Sequence, residues 1–263
     1  MSFATELQLA LQAAQRASQR ILELYATFQA IPDAQMDIST QADTDAQEII
    51  LQTLRQRFPQ DAYQAEEATP TLAICERRGS RVWVIDPIDG TRGFAQKNGE
   101  FSIMIALTVE GVPVVGVVWE PARHRYTYAS QGQGCFTESG SRCQVTAVAQ
   151  LEQATLVVSH TRPDRPSPLL AALQPARVLQ THSAGVKLAR VARGEADLYI
   201  NFYGHFNDWD IAAGHVLVTE AGGVVSGLKG QAITYGQGAQ QAGLLASNRP
   251  LHAPAAQRLR EVF

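Results

Sequence analysis

The stretch that most constrains the fold runs from Trp83 to Phe94, where an apolar segment passes directly into two aspartates, a proline and a glycine. Arg81 to Ile85 (RVWVI) has the β-branched and aromatic composition of a buried strand. Two acids at the end of such a strand are costly to bury unless a partner neutralises their charge. The segment therefore predicts a strand that delivers its acids to a functional site.

The acids Asp86 and Asp89 have the type and spacing of ligands for a divalent cation. Pro87 fixes the backbone between them, and the carbonyl of Ile88 can point the same way. Hard oxygen ligands of this kind suit magnesium or manganese.

Gly90 and Thr91 predict the first turn of a helix beside that cation. The N–H groups and positive dipole end of such a turn can hold a phosphate oxygen. Asp, Pro, Gly and Thr also favour ordinary turns for local reasons, so the motif alone leaves both interpretations open.

Two further acidic segments strengthen the functional interpretation. Glu66-Glu67 lies about 20 residues upstream, and Trp209-Asp210 opens a predicted helix that extends to Ala221. Taken singly, the glutamates are typical of a solvated loop and Asp210 of a helix N-cap. Together with Asp86 and Asp89, these acids favour a metal site.

The hydrophobic pattern predicts helices first and strands afterwards. One amphipathic helix is expected from Ser2 to Ala30, ended by Pro32, and a second from about Asp43 to Phe58 behind the polar start signal Thr40-x-x-Asp43. The strands expected next, successive and antiparallel, are Arg81 to Ile85, Phe101 to Thr108, Val112 to Trp119 and Arg125 to Ala129.

Beyond about residue 150 strands and helices alternate. The elements expected there are a strand at Thr155 to Ser159, a helix at Ser183 to Arg193 closed by Gly194, a strand at Asp197 to Asn201, a helix at Asp210 to Ala221 closed by Gly222-Gly223, short strands near Val224, Ile233 and Leu244, and a final helix. We expect an α+β half at 1–150 that carries the metal signature, Asp86 to Thr91, and an α/β half at 151–263 that completes the active site. The halves pack closely without a linker, with the seam near His160 to Pro168.

Composition excludes several classes of protein. With 22 basic and 25 acidic residues among 263, the chain lacks the positive charge of a general nucleic-acid-binding protein. Cys75, Cys135 and Cys143 form no CxxC pair, so neither a zinc site nor a disulfide framework is expected. The N-terminal segment shows no export signal and no membrane-length run, so a cytoplasmic protein without a membrane partner is expected.

Taken together and in this order, the motifs resemble the inositol monophosphatase family. The resemblance rests on Glu66-Glu67, Asp-Pro-Ile-Asp-Gly-Thr, Trp-Asp-x-Ala-Ala-Gly with the later Glu-Ala-Gly-Gly, Thr40-x-x-Asp43, and the stretch from Ser183 through Lys187 to Tyr199. It covers nearly the full length. It implies an α+β fold, a layered α/β/α/β/α sandwich of the inositol monophosphatase and fructose-1,6-bisphosphatase type.

The resemblance also implies how each acid acts. Glu66, Asp86 and the Ile88 carbonyl would hold one Mg²⁺, and Asp86, Asp89 and Asp210 a second. Two or three Mg²⁺ per site are implied, with Mn²⁺ as a substitute, and lithium inhibition is implied as well. Two metals can activate water and stabilise the charge that builds up during hydrolysis of a phosphate monoester.

Three residues have implied catalytic roles. Thr91 and Asp43 would orient the attacking water, Glu66 and Thr91 would form its hydrogen-bond path, and Gly90 with Thr91 would bind the phosphate. The four converging carboxylates also predict a protein that is less stable without metal at neutral pH.

The residues after the signature, Arg92 to Phe101, resemble the 3′(2′),5′-bisphosphate nucleotidase branch. That branch removes the 3′-phosphate of adenosine 3′,5′-bisphosphate. The substrate contacts expected from it are Arg92, Lys97, His160, Ser183, Lys187 and His205. The alternative for the cationic residues is a solvated surface charge, and for His160 a loop histidine without a ligand.

Other functions stay open from the sequence. An inositol-1-phosphate or fructose-1,6-bisphosphate phosphatase is the nearest alternative, and a non-catalytic ligand-binding member of the family is the alternative from another class. The expected partner is a small phosphate ester rather than a nucleic-acid polymer, and the chain is expected to be a monomer or a homodimer.

Overall fold

A computed structural model describes residues 2–35, 38–160, 167–202, 206–236 and 239–262. Both predicted N-terminal helices are present: α1 (Ala4–Thr27) and α2 (Gln41–Arg55). The predicted start signal of α2 is confirmed as a capping box. The side chain of Thr40 accepts a hydrogen bond from the backbone N–H of Asp43, and the side chain of Asp43 accepts one from the backbone N–H of Thr40.

The first sheet, over the described residues, has the strand order β1-β2-β3-β4-β5-β6. Its strands are β1 (Ala62–Ala65), β2 (Arg81–Asp89), β3 (Ser102–Val109), β4 (Val112–Glu120), β5 (Arg125–Ser130) and β6 (Gly134–Thr137), with α3 (Pro70–Ala73) and α4 (Thr91–Ala95) between them. The predicted antiparallel pairing from β2 to β5 is confirmed. Strand β1 was not predicted from the sequence; it pairs parallel to β2 and contains no Val, Ile or Thr.

The second sheet has the order β11-β13-β9-β7-β8 and mixes parallel with antiparallel pairs. The elements of this half are β7 (Thr155–Val158), α5 (Pro168–Leu173), β8 (Arg177–Gln180), α6 (Ala184–Ala192), β9 (Leu198–Asn201), β10 (Phe206–Asn207), α7 (Ala212–Glu220), β11 (Val224–Ser226), β12 (Ala239–Gln240), β13 (Leu244–Ser247) and α8 (Arg249–Arg260).

Two predictions for this half are wrong. The segment around Ile233 is not a strand; β12 forms instead, and its backbone pairs with β10. Helix α7 starts at Ala212 rather than at Asp210, because Asp208–Asp210 forms a separate 3-10 turn before it. The predicted end of α6 is confirmed, since Gly194 follows it with a φ of 70°.

Alternating faces of β2 divide the core into layers. Trp83 and Ile85 pack with α1 and α2 on one face, whereas Val82 and Val84 pack with α6 and α7 on the other. The second sheet packs against α6 and α7 and, on its outer face, against α5 and α8. The layers therefore follow the order helix, sheet, helix, sheet, helix, which the family resemblance implied. Division of the chain near residue 150 stays a prediction.

No helix within the described ranges has the length and apolar character required to cross a membrane.

Candidate active site

A β-bulge in β2 places the two aspartates of the signature on one face of the sheet. Asp86 pairs with Met104 and Asp89 with Ser102, so three steps along β2 match two steps along β3. Residues three apart in a regular strand point to opposite faces, and the extra residue of a bulge restores the same face. The bulge is therefore the structural reason that two acids at this spacing can act together.

The parallel strand β1 brings Glu66 beside Asp86. Ala65 pairs with Ile85, and the N–H of Glu66 donates to the Ile85 carbonyl at 3.3 Å. Gln47 of α2 fixes the following residue, because its side chain bonds to both the N–H (2.8 Å) and the carbonyl (2.6 Å) of Glu67. Gln47 was not predicted as a site residue; it is a fully buried polar residue on the apolar face of α2.

Asp210 reaches the same cluster from the turn before α7. Its carboxylate accepts a hydrogen bond from the N–H of Asn207 at 2.5 Å, which completes a capping box around the 3-10 turn. Asp210 is thus the third residue of that turn, whose N-cap is Asn207, and it is not the N-cap of α7 that the alternative interpretation expected. The charge of Asp89 acts on the same carboxyl, so Asp210 lies within electrostatic range of the cluster.

Burial and mutual repulsion make the ionised cluster unfavourable without a counterion. Burial, followed by the charges of Glu66, Asp89 and Asp210, raises the pKa of Asp86 well above its ordinary value. Burial also raises the pKa of Glu66 to about 8 and that of Asp210 to about 7. A bound cation would reverse all three shifts.

The donor set fits a divalent cation. Asp86 is only 2% exposed, and its Oδ1 atom has no hydrogen-bond partner among the residues that the structure describes. A buried carboxylate oxygen without a donor is unusual in a folded protein. Carboxylates of Glu66, Asp86, Asp89 and Asp210, together with the Ile88 carbonyl, carry the hard oxygen atoms that Mg²⁺ prefers, and their binding of a metal stays a prediction.

The N-terminus of α6 fixes the orientation of Asp89. The N–H groups of Ala184 (3.0 Å) and Gly185 (2.7 Å) donate to its carboxylate, as does the hydroxyl of Ser183. The hydroxyl of Ser102 is a weaker donor at 3.3 Å. Ser183 is fully buried and also caps α6, so it positions Asp89, and its contact with substrate stays a prediction.

A second hydrogen-bonded group joins α2 to the signature. The Oγ1 atom of Thr91 lies 3.2 Å from Oδ1 of Asp43 and 3.0 Å from the Ile88 carbonyl. The other oxygen of Asp43 accepts from the hydroxyl and the N–H of Thr40. Burial raises the pKa of Asp43 to about 6. Both residues predicted to orient water thus lie in direct contact.

Gly90 permits the close approach of two other segments. It caps α4 in the left-handed region with a φ of 87°, and a Cβ there would lie 2.8 Å from the Glu100 carbonyl and 3.1 Å from the Ser183 backbone. Only glycine fits these constraints without strain. Phosphate binding by Gly90 and Thr91 stays a prediction.

The predicted cationic contacts fall into different environments. Lys187 is 1% exposed; its ammonium donates to the His182 carbonyl at 3.1 Å and lies over the Tyr199 ring. Burial lowers the pKa of Lys187 to about 8. Lys97 donates to the Tyr25 carbonyl and covers the Tyr25 ring of α1, and its contact with substrate stays a prediction.

Arg92 remains a candidate contact. It is half-buried, and its Nε atom has no hydrogen-bond partner within the described part of the chain. A guanidinium nitrogen that is buried and unpartnered is available for an anionic ligand.

His160 lines a pocket at the end of β7 and β9. The residues around this pocket are Val158, Ser159, His160, Ser167, Leu169, Tyr199, Ile200, Asn201 and Phe202. Tyr199 belongs to the pocket wall, and burial together with the charges of Asp89 and Asp210 raises the pKa of its hydroxyl, so these two acids lie within electrostatic range of the pocket. The predicted contact His205 lies outside the described residues.

Comparisons with known proteins agree on one family. Residues 4–262 match the family described as "Inositol monophosphatase family". The 3′(2′),5′-bisphosphate nucleotidase CysQ of Salmonella typhimurium is 36% identical over 198 residues, which is 74% of this chain and 78% of that protein. A fructose-1,6-bisphosphatase/inositol-1-monophosphatase of Thermotoga maritima is 35% identical over 197 residues, covering 74% of this chain and 73% of the relative.

Solved structures confirm the fold. The inositol monophosphatase of Anabaena (Nostoc) sp. PCC 7120 superposes with a TM-score of 0.84 at 26% identity, over 100% of this chain and 98% of that one. Enzymes of this family hydrolyse phosphate monoesters with divalent metal ions, generally Mg²⁺. The match over nearly the whole chain and the identity to curated relatives show that this protein belongs to the inositol monophosphatase family of phosphatases.

Proposed function

We propose that the chain is a magnesium-dependent 3′(2′),5′-bisphosphate nucleotidase that removes the 3′-phosphate of adenosine 3′,5′-bisphosphate. The main supporting observation is a pocket lined by His160, Tyr199 and Phe202, whose Tyr199 side chain lies within electrostatic range of the buried Asp89 and Asp210. A nucleoside in that pocket would present its phosphate to the acids. The similarity to CysQ nucleotidases supports the same substrate.

Glu66, Asp86, Asp89, Asp210 and the Ile88 carbonyl are the proposed metal ligands. When bound there, Mg²⁺ supplies a water activated at neutral pH and neutralises charge on the leaving oxygen. The chain's own contribution is to hold four carboxylates in fixed positions. Asp89 is fixed by α6, Glu66 by β1, and Asp210 by its capping box.

Asp43 and Thr91 are proposed to orient the attacking water. Thr40 donates to one oxygen of Asp43, so the other is directed at the Thr91 hydroxyl. Thr91 can then donate its proton to Asp43 and accept one from water, which fixes the direction of the water lone pair. Gly90 and the backbone that follows it are proposed to contact the phosphate.

Arg92 is proposed to bind the second phosphate of the substrate. Its unpartnered Nε and its planar donor geometry suit a phosphate oxygen. A substrate with one phosphate would leave this group without a partner, so Arg92 would discriminate between a bisphosphate and a monophosphate.

An inositol-1-phosphate or fructose-1,6-bisphosphate phosphatase is the second candidate. Relatives with those names are as similar as the nucleotidases: the inositol monophosphatase 2 of Rattus norvegicus is 35% identical over 199 residues, 72% of this chain and 67% of that protein.

The test is phosphate release from adenosine 3′,5′-bisphosphate, inositol-1-phosphate and fructose-1,6-bisphosphate, with and without Mg²⁺. We expect the nucleotide to give the highest kcat/KM and Asp89→Asn to be nearly inactive, whereas the exposed Asp33→Asn keeps wild-type activity. Loss of one charge-assisted hydrogen bond in Arg92→Ala should raise KM for the nucleotide roughly tenfold. Arg78→Ala, at an exposed arginine, is the matched control.

Each alternative outcome has a distinct meaning. A preference for inositol-1-phosphate or the sugar bisphosphate would replace the proposed substrate and leave the metal site intact. Equal KM values for Arg92→Ala and Arg78→Ala would show that Arg92 does not bind the substrate. Wild-type activity of Asp89→Asn would contradict the proposed ligand set.

A further inference from the structure

Three metal-ligating side chains meet beside the acid cluster without belonging to it. They are Glu100 from the loop before β3, His160 after β7, and His182 directly before α6. One potential ligand atom from each lies within 4.8 Å of the other two. Nε2 of His160 is 2.6 Å from Oε2 of Glu100, and the two imidazole rings are 4.4 Å apart between centroids.

The ligand chemistry of this group differs from that of the acid cluster. Two imidazole nitrogens and one carboxylate oxygen suit Zn²⁺ and similar transition metals, whereas Mg²⁺ prefers oxygen ligands alone. Zinc binds nitrogen and oxygen at about 2.0–2.2 Å, which places tetrahedral ligands roughly 3.4 Å apart. The His160–Glu100 separation of 2.6 Å is shorter than that value, and no pair of ligand atoms exceeds 4.8 Å, so modest side-chain rotations suffice to close the site.

Contacts around the three residues already hold them in place. Nε2 of His182 lies 3.0 Å from Oε1 of Gln96; when this nitrogen donates, Nδ1 keeps the lone pair that a metal requires. The N–H of His182 donates to Glu100 at 3.2 Å, and the N–H of Glu100 donates to Oδ1 of Asn98 at 2.9 Å. Burial lowers the pKa of His182 to about 4, so its ring is neutral at physiological pH.

We propose that Glu100, His160 and His182 form a binding site for one Zn²⁺-class transition-metal ion, separate from the magnesium site. Three protein ligands leave a fourth position for water or an anionic group. The side chain of His160 is 40% exposed and lines the pocket beside Tyr199. Occupancy of this metal site fixes His160 against Glu100 and changes that wall of the pocket.

The experiment measures metal binding directly, so its result does not depend on the proposed nucleotidase activity. Wild-type protein is kept in saturating Mg²⁺ and titrated with Zn²⁺ by calorimetry. A parallel titration with Co²⁺ records the visible bands of a four-coordinate ion. We expect one equivalent of Zn²⁺ per chain, and a Co²⁺ spectrum that Zn²⁺ abolishes by competition.

Three variants locate the ion. His160→Asn and His182→Asn should each weaken Zn²⁺ binding about tenfold or more, and Gln96→Ala by about tenfold, as expected when an orienting partner of a ligand is lost. His160 is partly exposed, so its replacement leaves the core intact. His124→Asn, at an exposed histidine remote in sequence from the site, is the matched control.

Asp210→Asn distinguishes the new site from the acid cluster and should retain Zn²⁺ binding. Equal affinities in wild type and His160→Asn would overturn the proposal. Loss of the Co²⁺ spectrum in Asp210→Asn but not in His182→Asn would also overturn it, since the ion would then lie among the acids.

Discussion

The Oγ1 atom of Thr91 lies 3.2 Å from Oδ1 of Asp43, although 48 residues separate them in the chain. Asp43 thereby serves two purposes, because its other oxygen closes the capping box at the start of α2. The Asp43 carboxyl therefore both caps the start of α2 and orients the hydroxyl of Thr91, the last residue of the metal signature.

Replacing Thr91 by valine should reduce kcat by about a hundredfold with little change in KM. Valine keeps the shape of the side chain and removes the hydroxyl that orients the water, and positioned proton-transfer groups contribute about 10² or more in rate. Steady-state kinetics with saturating Mg²⁺ measures both constants.

Thr91→Ser is expected to recover most of the activity, because it restores the hydroxyl. Thr44→Val, one residue beyond Asp43 on α2 and partly exposed, should behave as wild type. A rise in KM with unchanged kcat in Thr91→Val would instead place Thr91 in substrate binding.

Removal of Mg²⁺ should lower the melting temperature. A ligand at about 100 times its Kd adds about 2.7 kcal/mol of unfolding free energy, which corresponds to roughly 5–10 °C for a chain of this size. Thermal melts in Mg²⁺ and in EDTA test this difference.

Asp86→Asn should abolish the increase in melting temperature that Mg²⁺ causes. The same substitution should raise the melting temperature of the metal-free protein. The amide keeps a similar volume without adding charge to a buried acidic cluster. Equal Mg²⁺ effects in Asp86→Asn and wild type would show that Asp86 is not a ligand.

Metal-free protein should lose stability as pH rises. The folded-state pKa of Glu66 is raised from 4.5 to about 8, so the folded state binds more protons than the unfolded state between these values. A raised folded-state pKa stabilises at low pH, and this stabilisation is lost as pH increases toward about 8. Urea denaturation in EDTA at a series of pH values measures the slope.

Glu66→Gln should flatten that pH dependence, because the amide does not titrate. Saturating Mg²⁺ should also reduce the slope, since the cation favours the ionised form. A metal-free stability that increases steadily from about pH 5 to about pH 8 would contradict the raised pKa values.

Gly185→Ala should weaken both the fold and the binding of Mg²⁺. A Cβ at Gly185 would lie 2.7 Å from Oγ of Ser102 and 2.8 Å from Sδ of Met104, which displaces α6 from Asp89. Overpacking of this kind costs about 1–3 kcal/mol. Gly79→Ala, whose Cβ meets its nearest atom at an ordinary 3.4 Å, is the control, and denaturant melts with Mg²⁺ titrations provide the comparison.

Local patterns in the sequence were sufficient for features that depend on near neighbours. The capping box of Thr40 with Asp43, the start of α6 at Ser183 and its end at Gly194 are confirmed because each involves residues within one helical turn. The antiparallel pairing of β3 with β4 and of β4 with β5 was predicted for the same reason, since connections of a few residues join these strands, whereas a longer connection that contains α4 joins β2 to β3.

Predictions failed or stayed incomplete where a distant segment decides the outcome. Lys97 lies against Tyr25, 72 residues away, and no local pattern indicates that contact. The strand expected near Ile233 does not form, because β-propensity becomes a strand only where a partner edge is available.

The sequence by itself determined the main helices, the antiparallel strands and the candidate acids, because periodicity and turn chemistry act over a few residues. The five-layer architecture was implied by the resemblance to the family. Only the tertiary structure decided that Ser183 donates to Asp89, that Lys187 is buried, and that Glu100, His160 and His182 meet. The contact of Ser183 with Asp89 and the cluster of Glu100, His160 and His182 join segments more than 20 residues apart in the chain. Their geometry, like the burial of Lys187, follows from how the helices and sheets pack.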